Sequence, residues 1–192
     1  MARYSPEHKA ASRKTLIGAA AELFRKHGYT GVGIDDLCAA AGLTRGAFYG
    51  HFTSKANLFT AVLRGAHDFV ERLRVRPGFA TRHLKKQGVQ VAKDYLDPRN
   101  RAAVVAGCSL SALAADTVRA DADAQAAYAQ AVADVVSELT RGASGERAMT
   151  AEQARTMLAL CVGGLLINNA CGNNPEGERV ALAARRALSR VV

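Results

Sequence analysis

A chain of 192 residues that is 49% hydrophobic, with only four prolines, can bury a large core and is too apolar to be disordered. No apolar run reaches the length of a membrane span, since the longest, Met157 to Ile167, is 11 residues and holds a glycine pair. The net charge of +9 is unevenly spread: residues 1–101 carry 18 Lys/Arg against 8 Asp/Glu, and residues 102–192 carry 8 against 9. A basic N-terminal half points to a polyanionic partner there, against the simpler alternative of a solvated charged surface.

Ser5-Pro6-Glu7 opens like a helix start, with a hydroxyl cap, proline in the first turn and an acid at the positive end of the dipole. Leu16, Ala20, Leu23 and Phe24 then share one helical face, and Gly28 ends the helix. Ile34, Leu37, Cys38 and Ala41 form a second, short stripe between Gly33 and Gly42. Thr44 caps a third helix, with Leu43 set to staple onto Phe48, and Phe52 one turn further in. Ser54 caps a fourth helix expected to run to about Val75, where Pro77-Gly78 breaks it.

Beyond the break the pattern predicts helices at about 79–96, 99–106, 108–118 and 121–141, then a surface loop from Gly142 to Met149. Thr150 and Gln153 make a capping box for a helix to about Cys171. Gly172 to Glu178 reads as a turn, and a last helix spans about 177–190. Alanine abundance and the lack of strand-like alternation make the fold all-α.

Two short helices joined by a glycine turn and locked onto a longer first helix form a helix-turn-helix pattern. If Phe48 and Phe52 anchor the third helix, Arg45, Gly46, Tyr49 and Gly50 are forced outward. Arg45 then suits a bidentate contact to guanine, and Tyr49 a phosphate or a thymine methyl. The two glycines allow the backbone to approach a duplex closely. Gly50 costs its helix about 1 kcal/mol relative to alanine, which close approach would rationalise.

The stretch LIGAAAELFRKHGYTGVGIDDLCAAAGLTRGAFYGHFTSKANLFTAVL, from Leu16 to Leu63, resembles the TetR family of bacterial transcriptional regulators, most specifically in AGLTRGAFYGHFTSK. The resemblance implies an N-terminal three-helix DNA-binding domain, residues 1–53, and a C-terminal helical effector-binding and dimerisation domain, residues 54–192, with about nine or ten helices in all. It implies a cytoplasmic homodimer that represses from a palindromic double-stranded DNA operator and leaves when a small-molecule effector binds. The operator contacts carried over are Thr44, Arg45, Gly46, Ala47, Tyr49, Gly50, His51 and Lys55, with Arg3, Lys9, Arg13 and Lys14 in support. At Gly33, where many relatives have a hydroxyl, only the backbone N–H is left to meet a phosphate.

The body is poor in aromatics, so an apolar or weakly polar effector is expected, with His67, Phe69, His83, Tyr95 and Tyr128 as polar or aromatic candidates beside it. Gly107-Cys108 ahead of a small-residue helix resembles a TetR subgroup that includes oxidant and electrophile sensors. Cys108 is therefore a candidate sensor thiol, with a small buried residue as the plainer alternative. The cysteines at 38, 108, 161 and 171 lack zinc-site spacing, so thiols in a reducing compartment are expected, with no metal and no cofactor. Leu158, Cys161, Val162 and Leu165, with Val180, Ala184, Ala187 and Leu188, are expected at the dimer seam, unless that stripe is filled within one subunit. An enzyme is the rival class, but G-x-S-x-G, the P-loop, G-x-G-x-x-G and H-E-x-x-H are all absent. A helical RNA-binding adaptor is the third.

Overall fold

The computed structural model describes residues 6–65, 84–100, 108–140 and 149–191, and for residues 84–87 the backbone only. Among these are ten α-helices and no strand: α1 (Pro6–His27), α2 (Ile34–Ala41), α3 (Arg45–Tyr49), α4 (Lys55–Arg64), α5 (Leu84–Tyr95), α6 (Ser109–Ala112), α7 (Ala114–Val118), α8 (Ala122–Thr140), α9 (Ala151–Ala170) and α10 (Pro175–Val191). A 3-10 turn, Pro98–Asn100, follows α5.

The expected punctuation operates in the N-terminal part. Gly28 and Gly42 adopt φ of +74° and +64°, left-handed conformations that stop α1 and α2 and turn the chain. Thr44 Oγ1 accepts from Ala47 N at 3.2 Å and Ser54 Oγ from Asn57 N at 3.0 Å, capping α3 and α4. In the body, Thr150 and Gln153 form the reciprocal capping box of α9, at 3.1 and 3.0 Å.

Three boundaries differ from expectation. The described part of α4 ends at Arg64 with Gly65 as its cap, and the rest of the expected helix lies outside the described residues, as do 79–83 and 101–106. The helix expected over 108–118 is interrupted at Leu113, whose backbone leaves helical geometry (φ −102°, ψ 3°) so that its side chain is fully buried. α10 starts earlier, because Pro175 takes the first helical position and Asn174 Oδ1 accepts from Glu176 N at 2.9 Å. The turn expected at Gly172 to Glu178 therefore ends at Asn174.

Two apolar clusters hold the fold. One joins Leu16, Phe24, Leu37, Phe48 and Phe52 to Leu58, Phe59 and Leu63 of α4, and continues into Leu113, Ala124 and Ala127. The other gathers Tyr95, Cys108, Val135, Met157, Cys161 and Leu188. Tyr128 packs against both. A dozen buried side chains of this size, each worth about 1.5–3 kcal/mol, make burial the main stabilising term.

Candidate nucleic-acid interface

Phe48 is fully buried and Phe52 nearly so, and this decides what α3 presents. One residue on, Tyr49 is 53% exposed, its ring edge-on to Phe48 with centroids 5.2 Å apart. Thr44, Arg45, Gly46 and Gly50 are also exposed, and Ala47 is partly so. At Gly46 the nearest atom to an added Cβ would be Thr44 Oγ1 at 3.8 Å, so the surface there is open. At Gly50 it would meet Ala47 O at 3.3 Å, a tight contact with the helix's own turn. Arg45 Nε lies 3.3 Å from Asp35 Oδ1, both side chains being largely exposed, so the guanidinium is held lightly in the free head.

His51 is half-buried, and its Nε2 lies 2.8 Å from Ser12 Oγ on α1. Burial first, then the charges of Lys9 and Arg13, hold its pKa below the usual histidine value. Arg13 stacks over the Phe52 ring at 4.9 Å. Lys9, Arg13 and Lys14 are exposed on α1, whereas Arg3 lies outside the described residues.

Two residues expected to meet phosphates already hold partners within the chain. Gly33 N donates to Asp36 Oδ2 at 2.8 Å, so the N–H reserved for a phosphate is already used to cap α2. Lys55 Nζ donates to Tyr29 O and Val32 O, both at 2.9 Å, and sits 4.2 Å from the Tyr29 ring centre. Its ammonium thus stitches the turn between α1 and α2 onto α4, and only one of its three donors is left for a partner. Backbone carbonyls more than twenty residues upstream carry no side-chain signal that could have revealed this.

In the body, Tyr95, Cys108 and Tyr128 converge. The Tyr95 hydroxyl donates to Cys108 Sγ at 2.5 Å, and Ser111 N approaches the same sulfur at 3.4 Å. Tyr128 donates to Leu110 O at 2.6 Å. Burial, and then Cys108, push the Tyr95 phenol well above its ordinary value and that of Tyr128 up to about 12. Cys161, fully buried nearby, is also raised by burial and then by Cys108. His67, Phe69 and His83 lie outside the described residues. Among the described residues no cluster of His, Cys, Asp and Glu could hold a metal.

The expected dimer stripe is mostly the chain's own core: Cys161, Leu165 and Leu188 are buried, as are Leu158 and Ala184. Val162, Val180 and Ala187 are partly exposed. The large apolar residues that α9 leaves uncovered are Leu166 and Ile167, 38% and 46% exposed. They lie on the opposite side of the helix and carried no distinguishing signal, because α9 is apolar on nearly every face.

The class defined by this geometry is a protein helical throughout its described residues, with an N-terminal helix-turn-helix head and a helical body. Residues 16–62 match the family model described as bacterial regulatory proteins, tetR family. Over those residues the chain is similar to that family. Among curated relatives, the HTH-type transcriptional regulator TtgR of Pseudomonas putida is 37% identical over 73 residues, 38% of this chain and 35% of its own length. The HTH-type transcriptional repressor AcnR of Corynebacterium glutamicum is 42% identical over 53 residues, 28% of each. The chain thus spans about a third of the length of the curated relatives it matches. Among solved structures, reduced E. coli NemR superposes with a TM-score of 0.72 over 94% of this chain and 96% of that one, at 20% identity, a likeness of fold.

Proposed function

We propose that the protein is a ligand-responsive transcriptional regulator, in the simplest case a repressor, with residues 1–53 reading duplex DNA and 54–192 sensing and dimerising. The observation that carries this reading is the inversion between neighbours on α3, with Phe48 wholly buried and Tyr49 projecting beside Arg45 and two glycines. An anchored helix with a polar, partly bare outer face suits the major groove and has no role in a core. The names of the relatives, a regulator and a repressor, agree with it. The dimer would use the uncovered side of α9, with Val162, Leu166 and Ile167, beside Val180, Ala183 and Ala187 of α10. Two such heads would meet successive major grooves about 34–36 Å apart. The regulator works in the cytoplasm, where its DNA lies.

The test is selection of duplexes from a random pool, followed by affinity measurement across salt. A palindromic consensus bound with a steep salt slope is expected. Preference for single-stranded or A-form RNA would favour the adaptor reading, and indifference to sequence would leave room for an enzyme.

A second reading, electrophile sensing through Cys108, rests on the two donors that converge on its sulfur. Such donors suit a sulfur that carries charge while it attacks an electrophile. Treatment with N-ethylmaleimide should lower operator affinity in the wild type and spare Cys108→Ser. Equal loss in both would remove the idea.

A further inference from the structure

Ser12 and His51 are 39 residues apart and meet at 2.8 Å, and the carbonyl of Lys9 nearby assigns the roles of the pair. A serine hydroxyl has one proton. Ser12 Oγ gives it to Lys9 O, at 3.1 Å, a carbonyl that can only accept. With that assignment Oγ accepts from the imidazole, and the ring proton of neutral His51 sits on Nε2. Nδ1, the nitrogen left over, carries a bare lone pair.

His51 helps to line an open groove of about 420 Å³ between α1 and α3, shared with His8, Lys9, Thr44, Gly46 and Gly50. No carboxylate is among the groove's lining residues. A DNA phosphate entering it meets cations at Lys9 and, close by, Arg13, and it meets the ring of His51, whose unused nitrogen is Nδ1. Contact there needs a proton on Nδ1. The ring is then a cation whose two N–H groups are both used, one by Ser12 and one by the phosphate.

We propose that operator binding takes up a proton at Nδ1 of His51, and that Ser12 is the positioning residue that makes this uptake necessary by holding the other ring proton on Nε2. The inference rests on the DNA-binding reading above. In the free head, burial and the charges of Lys9 and Arg13 oppose the imidazolium, so the ring is neutral at pH 7. A bound phosphate offsets those charges and accepts the new donor. The bound state holds more protons than the free state, so affinity rises as pH falls.

The experiment measures fluorescence anisotropy of the selected duplex, at fixed salt, from pH 6 to 8.5. For the wild type, affinity should increase as pH falls, approaching about tenfold per pH unit per protomer. His51→Gln should flatten that dependence, while His8→Gln, a control for the groove's other imidazole, should keep it. Ser12→Ala is the informative variant: without an acceptor for Nε2–H, the neutral ring can move its proton to Nδ1 and donate while uncharged. Its pH dependence should therefore shrink while its affinity at pH 8.5 is retained, and Ser12→Thr should restore the slope. Loss of a merely structural contact would lower affinity at every pH alike. A flat wild-type profile, or a full slope in either His51→Gln or Ser12→Ala, overturns the inference alone. Failure to bind any duplex at any pH overturns the DNA-binding reading, and the inference with it.

Discussion

Lys55 and Arg45 separate two roles that a basic residue near a duplex can have. Lys55 spends two donors on the carbonyls of Tyr29 and Val32. Lys55→Met keeps the stem and removes those charge-assisted bonds, so urea denaturation should show a loss of about 1.5–3 kcal/mol. Full stability with weaker DNA binding would return Lys55 to the role of a simple phosphate contact. Arg45 has one exposed partner, Asp35, which offers little in water. Arg45→Ala should leave stability unchanged, weaken binding to the selected duplex by about 1–3 kcal/mol and relax selectivity at one base pair. Equal weakening on all sequences would make it a backbone contact instead. Arg45 was legible in sequence because its neighbours Phe48 and Phe52 dictate which way α3 turns. The bonds of Lys55 and of Ser12 to residues far along the chain were not, since neither lies at a spacing that local structure fixes.

At the level of helices, caps were readable and faces were not always so. Thr44, Ser54 and the Thr150–Gln153 box act within one turn of their own sequence. α9 illustrates the opposite case: it is so evenly apolar that period alone cannot choose between a core face and an interface face. Its two adjacent glycines now separate. A Cβ at Gly164 would come within 3.0 Å of Leu96 Cδ2 and 3.1 Å of Ala184 Cβ, whereas at Gly163 it would meet nothing within 4 Å. Gly164→Val should therefore destabilise the chain by about 1–3 kcal/mol through overpacking against α10. Gly163→Val should leave the chain folded and loosen self-association, read by sedimentation equilibrium. Wild-type-like association in that variant would move the dimer seam away from this side of α9.

α5 and α10 are joined in a different way, through Asp97. Its carboxylate accepts from Arg99 Nε and Nη2 at 2.9 and 2.7 Å, from the Arg99 backbone at 3.0 Å, and lies 3.4 Å from Arg185 Nη2. The Arg99 hydrogen bonds, more than the charge of Arg185, hold its pKa far below the usual carboxylate range. A depressed carboxylate contributes stability above its unfolded value, near pH 4, and loses it as pH falls towards the folded value. Stability of the wild type should therefore drop on acidification below about pH 4 more steeply than that of Asp97→Asn. Parallel curves would show the arginine contacts to be without consequence.

Across the whole molecule, one short segment touches both the head and the thiol pocket. Cys108 begins it and receives Tyr95. Ser109, the next residue, takes a 3.2 Å hydrogen bond from Arg25 Nη1 of α1. Leu113 is buried in the head's own cluster, and Asp116 Oδ2 accepts from Tyr29 N at 3.0 Å, just after α1 ends at Gly28. A perturbation at Cys108 therefore has a continuous packed route to α1, and binding free energies coupled by such a route act in both directions. Duplex binding should slow the labelling of Cys108 by a soluble disulfide reagent. The measurement is made in a Cys171→Ser background, because Cys171 is only partly buried, unlike Cys108, and would react first. Asp116→Ala removes the acceptor beneath the α1 turn and should bring the rates with and without duplex together, while the variant still binds DNA. Identical labelling rates in the presence and absence of duplex, with Asp116 intact, would mean that head and body act independently and that the segment from Cys108 to Val118 carries no signal.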